Sequence, residues 1–274
     1  MSEDSIDNKK RGYFTGVFKS IRSSFIVVGT LLGVYITSKY SIETIFLVSF
    51  VLFLGLVMYT LSLKKHLIKK RPKLKDLNFI NDIKYFLRDK RLRTIGLLGV
   101  LTNFSEGIFA VFVPLYIITE LNAPVYFVGI IFAARYLVSI SQFFFGKLCD
   151  LRGSGNMVFL GITLKALALA LLPFSSSFTI LLLISILVSV GGSIWNTAAW
   201  CYMSEIGEDN NDEGEITGSY VSIAHFGPFL SFIAGGLFVG FLGYRGLFSL
   251  AALVCILSAY VAYKRIYSPP NKKY

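Results

Sequence analysis

The chain has 274 residues, of which 54% are hydrophobic and 16% charged, with a mean hydropathy of +0.65 and a formal net charge of +11. So many uninterrupted apolar runs exclude an ordinary soluble domain, because they need a lipid surface to face. The positive charge does not indicate a nucleic-acid partner, since no soluble basic domain is present to grip a backbone, and basic residues between apolar runs act as an orientation signal.

Taken in order, residues 1–12 are polar; the first twenty residues show no signal-peptide pattern, so targeting is expected to fall to the membrane spans themselves. About 20 apolar residues at about 1.5 Å each cross a hydrocarbon core of about 30 Å. That length predicts a first span over 17–38 and a second over 42–63, with Gly29, Gly33 and Gly55 available for close helix contacts. Residues 64–93 form a linker with twelve Lys or Arg. Within it Leu77, Phe79, Ile80, Ile83, Phe86 and Leu87 recur at helical spacing, as in an amphipathic helix lying on a membrane surface. Further spans are predicted over 94–118, 125–146, 157–173 and 178–203, then an acidic loop over 205–215, then spans over 216–241 and 246–263.

These elements predict an all-α, polytopic helical membrane protein with eight transmembrane helices in a 2 + 6 arrangement. An even number places both termini on one side. With the termini in the cytoplasm, the basic linker, Lys147, Arg152 and the basic ends of the chain all lie inside. Lys39 and Arg245 then lie outside, and Arg135 and Lys165 fall within the membrane. The bias of Lys and Arg toward the inner loops selects this orientation, and the acidic loop carries little topological weight. The expected location is the cell membrane, with the lipid bilayer as the first partner.

Between the spans at 125–146 and 157–173 lies the turn Gly146-Lys147-Leu148-Cys149-Asp150-Leu151-Arg152-Gly153, of the form G-x-x-x-D-x-R-G. It resembles the signature between the second and third helices of each half of major facilitator superfamily transporters, which are built from two six-helix halves. A second signal is an internal repeat. A shift of 202 residues pairs Gly12 with Gly214, Thr15 with Thr217, Gly16 with Gly218, Ser20 with Ser222, Ile21 with Ile223, Gly33 with Gly235 and Phe46 with Phe248. Parallel repeats of this kind relate the two halves of that fold. Gly243-Tyr244-Arg245 is also similar to the family's Gly-Trp-Arg turn. The resemblance implies that residues 1–63 are a partial N-terminal half with two membrane helices, and 64–93 the cytoplasmic linker with its interfacial helix. It further implies a six-helix C-terminal half over 94–266 and a disordered tail over 267–274, with the family's first four helices lacking a counterpart. In the family the signature turn is a conformational latch. Here the usual basic pair after the glycine is replaced by Ser154, Gly155 and Asn156.

Glu106 and Arg135 lie at about the same depth, about 18–20 Å from the same ends of adjacent antiparallel spans. An isolated charge there costs at least about 2.5–3.5 kcal/mol, so pairing or a wet cavity is expected. The pair is either a substrate or proton-coupling site or a structural lock between two spans. Lys165 snorkels only partly, which makes it a further candidate, although the family resemblance places its helix at the periphery. His225 titrates near neutrality and is a candidate proton relay or a polar packing group. Asn103 and Asn196 are amides suited to hydrogen-bonding a solute or to holding helices together.

Cys149, Cys201 and Cys255 are spaced for neither a metal site nor a disulfide framework, and no catalytic or phosphate-binding motif is present. The chain is therefore expected to be no enzyme and to need no metal or cofactor. The expected function is transport of an unidentified small solute, with the excess of basic groups in the membrane leaning toward an anion. The alternative is a non-transporting or scaffold membrane protein that needs a partner chain supplying four helices, or a second copy of itself.

Overall fold

In the computed structural model, residues 11–40, 42–67, 86, 88–210 and 213–267 are described. They form α1 (Arg11–Lys39), α2 (Ile42–Leu67), α3 (Lys90–Thr119), α4 (Tyr126–Ser139), α5 (Gln142–Arg152), α6 (Ser154–Leu171), α7 (Phe178–Asn210), α8 (Glu213–Ala224) and α9 (Phe226–Arg265). A 3₁₀ turn, Leu172–Phe174, ends α6 with Pro173 at its start, where a missing N–H costs nothing. Each long helix is apolar enough that the bundle is a multi-pass membrane protein.

The count of spans corrects the sequence expectation. The described residues hold six helices long and apolar enough to cross a membrane, or seven if one bent pair is counted as a single span, and not eight in a 2 + 6 arrangement. The difference lies in the two spans expected over 216–241 and 246–263. Ile216–Arg265 is a single apolar run of 50 residues with no intervening loop. Besides the break at His225 between α8 and α9, its backbone is non-helical at Gly243, whose φ of 64° and ψ of −178° a residue with a Cβ rarely adopts. The sequence expectation places a turn at Gly243-Tyr244-Arg245, whereas helix continues on both sides of Gly243.

The bent pair is α4 and α5, which meet at 40° around Ile140 and Ser141. A break here frees backbone donors at the start of α5. One of them, the Phe143 N–H, donates to Ser20 Oγ of α1 at 2.9 Å. The acidic stretch 205–215 is helical at both ends rather than a loop, since α7 runs to Asn210 and α8 starts at Glu213. The surface helix expected within 64–93 and the tail expected to be disordered lie largely outside the described residues.

Two seams organise the bundle. α3 packs along α9, and α6 packs along α7. In the second seam the backbones touch through glycines: a methyl on Gly161 would lie 2.8 Å from Trp195 Cα, and one on Gly191 would lie 2.7 Å from Lys165 Cα. Such approach maximises van der Waals contact where lipid supplies no hydrophobic drive between helices. α1 lies against α4 and α5, while the apolar window of α2 has no buried residue at all.

Candidate functional site

Glu106 on α3, Arg135 on α4 and Lys165 on α6 converge in one cluster. Arg135 Nη2 donates to Glu106 Oε1 at 2.6 Å, and Lys165 Nζ donates to Glu106 Oε2 at 2.9 Å. Lys165 Nζ also donates to the Thr102 carbonyl at 3.3 Å. The cations are the hidden members, with side chains 11% and 3% exposed, whereas the carboxylate is 36% exposed. One acid between two bases leaves a formal charge of +1.

Local structure explains why these three meet. Gly191 lets the backbone of α7 press against Lys165, so that face of α6 is occupied and the long side chain reaches α3 instead. On α4 the Arg135 guanidinium carbon sits 4.1 Å from the ring centre of Phe109 and 5.8 Å from that of Phe132. Ser189 Oγ of α7 donates to the Arg135 carbonyl at 2.7 Å, pinning this turn of α4 to the neighbouring helix. Among the described residues, the buried Arg135 Nε has no hydrogen-bond partner. Breaking a buried ion pair by removing one partner typically costs about 3–5 kcal/mol, so Glu106 stabilises both cations at once.

The other candidates lie elsewhere. Asn103 Nδ2 donates to the Ala224 carbonyl at 3.3 Å. That carbonyl would ordinarily receive the N–H of residue 228, which is Pro228 and has none. Asn103 therefore repairs the helix break between α8 and α9. His225 sits at that break, exposed, with Nδ1 2.6 Å from the Val221 carbonyl. Asn196 on α7 receives Lys19 of α1: Lys19 Nζ donates to the Asn196 carbonyl at 3.0 Å and also to its Oδ1. The same ammonium lies 4.9 Å from the ring centre of Trp200. In the sequence Lys19 is one of the basic residues at the start of the chain, with Lys9, Lys10, Arg11 and Arg22, that set the orientation. Its position three residues after Gly16, inside a span rather than before it, was the available signal.

The signature turn is built against the start of α1. Asp150 accepts from the Gly12 N–H at 2.8 Å (Oδ1) and from the Tyr13 N–H at 3.0 Å (Oδ2). A carboxylate on the first free N–H groups of a helix also meets the positive end of its dipole. Gly12, Gly16 and Gly146 make this approach feasible. A methyl on Gly146 would be 2.7 Å from the Gly12 carbonyl carbon, and one on Gly16 would be 2.8 Å from Phe143 Cα. Gly153 holds a φ of 82° between α5 and α6, ending one helix and starting the next without a loop. Arg152 closes the last turn of α5, where a cation suits the helix C-terminus. Asp150 and Lys19 thus tie α1 to α5 and α7 at neighbouring levels.

Comparison with known proteins adds the family. A family model described as Major Facilitator Superfamily matches residues 95–274. An uncharacterized MFS-type transporter of Methanocaldococcus jannaschii is similar, with 26% identity over 263 residues. The alignment covers 93% of this chain and 66% of that protein, so the chain spans slightly less than two thirds of the relative's length.

Proposed function

Because this chain belongs to the major facilitator superfamily, we propose that it carries a small solute across a membrane, with Glu106, Arg135 and Lys165 as the groups the solute meets. One observation carries the reading: near the middle of α3, a carboxylate remains 36% exposed between two buried cations. A charge at that depth is too costly to face hydrocarbon, which favours an opening lined by water or by further helices. Transport would proceed by rocking of helix bundles about this point. The contact of Asp150 with the start of α1 serves as the latch that closes one end. The cytoplasm is the proposed side for both termini, on the distribution of Lys and Arg, and the role is non-enzymatic.

A second reading is favoured by α2, whose apolar window is entirely unburied. On that reading the chain is a non-transporting subunit that needs a partner chain or a second copy to cover α1 and α2.

The test uses vesicles from cells overproducing the chain, supplied with a mixture of small metabolites and read by mass spectrometry. Enrichment of one or more solutes over empty vesicles is expected, and Arg135→Ala should reduce it at least about tenfold at equal membrane level, the scale of losing one charge-assisted contact. Undiminished enrichment in Arg135→Ala would remove the cluster from the solute path. No enrichment by the parent chain would favour the subunit reading.

A further inference from the structure

We infer that the solute class is a small, singly charged oxyanion of the carboxylate type, held on the unused edge of Arg135. This rests on the reading of the cluster as a solute site. The geometry assigns the class through three features. First, the cluster has a surplus of one positive charge in a region of low dielectric, and one added negative charge would neutralise it. Second, Glu106 engages Arg135 through Nη2 alone and leaves the buried Nε–H without a partner among the described residues. A guanidinium presents parallel N–H groups along its edges, the arrangement that a planar carboxylate accepts as a pair of hydrogen bonds. Third, Lys165 spends donors on Glu106 and the Thr102 carbonyl, and an ammonium has three.

Charge order at the opening argues against a cationic solute. The exposed carboxylate offers two oxygens, and each already holds a cation. A cationic solute would raise a cluster already at +1 to +2 in a region of low dielectric. An anion instead neutralises the cluster and leaves both ion pairs of Glu106 in place. Its partner is Arg135, whose enclosed Nε–H is unpartnered among the described residues, beside the Phe109 and Phe132 rings, which favour an apolar or aromatic stem next to the charged group.

Benzoate, benzamide and benzylammonium share a ring and differ in charge, so they make a suitable probe set. The purified chain in lipid nanodiscs is melted in carboxylate-free buffer against a titration of each. Benzoate should raise the melting temperature saturably, and the other two should not. Glu106→Gln should melt lower than the parent in the absence of anion and regain stability with benzoate. Its apparent affinity for benzoate should be about tenfold higher, because the competing carboxylate charge is gone. If the variant does not fold, the parent titration decides alone. Stabilisation by benzylammonium, or no response of the parent to benzoate, would overturn the inference. Benzoate binding with no solute enriched in vesicles leaves the inference standing and defeats transport; enrichment of only neutral or cationic solutes does the reverse.

Discussion

Replacing Gly191 with leucine is expected to prevent α6 and α7 from docking, while the same change at the adjacent Gly192 is expected to leave the bundle folded. A Cβ at 191 would lie 2.7 Å from Lys165 Cα and 2.9 Å from the Gly161 carbonyl, both backbone atoms that cannot rotate away. At 192 a Cβ meets nothing within 4 Å. Overpacking of a core ordinarily costs about 1–3 kcal/mol, and a contact between two backbones relaxes less easily than one between side chains. The loss should exceed that range, because separating α6 from α7 also withdraws Lys165 from Glu106 and leaves charges unpaired in the membrane. Size-exclusion profiles and melting curves of the two variants in mild detergent check the contrast. Equal behaviour of Gly191→Leu and Gly192→Leu would show that the seam is not set by this contact.

The second large effect is expected at Asp150. Its carboxylate holds two N–H groups in the first turn of α1, and an asparagine keeps one acceptor while losing the charge. Charge-assisted hydrogen bonds contribute about 1.5–3 kcal/mol, and about 1.4 kcal/mol, near the low end of that range, shifts an open–closed equilibrium tenfold. Asp150→Asn should therefore free the start of α1 from α5 without unfolding the bundle. In a background with Cys149, Cys201 and Cys255 replaced by serine, cysteines at Thr15 on α1 and Leu148 on α5 should both react about tenfold faster with an impermeant maleimide. Unchanged rates at equal melting temperature would make Asp150 a surface residue with no hold on α1.

Depth was legible in the sequence; direction around each helix was not. Counting residues from the ends of spans set Glu106 and Arg135 at one level, and the structure joins them at 2.6 Å. The same counting said nothing of which way Lys165 points. The resemblance set its helix at the periphery, yet the pressure of α7 through Gly191 turns the side chain toward Glu106 at 2.9 Å. His225 and Asn103 read as candidates because polar groups in apolar runs stand out. The structure adds a local backbone effect at Asn103: Pro228, four residues after Ala224, leaves the Ala224 carbonyl to be satisfied, and Asn103 donates to it. Lys19 was passed over because its charge served an orientation argument, and only the packing of α1 on α7 reveals Asn196 as its partner. The span count differs at Gly243: the sequence reading ends one span at 241 and starts the next at 246, whereas helix continues on both sides of Gly243 and 216–265 counts as one apolar run.

The most direct test of the account concerns what Glu106 faces in a membrane. A cysteine at position 106, as the sole cysteine of the chain, is reacted in native membranes with two small impermeant thiol reagents, one bearing a sulfonate and one a trimethylammonium group. A wet site between Arg135 and Lys165 predicts that both reagents reach it and that the anionic one reacts faster, since the variant leaves two cations uncompensated. Protection of this cysteine from both reagents, with full reaction after denaturation in sodium dodecyl sulfate, would show that the cluster is a dry structural lock and not a place where a solute binds.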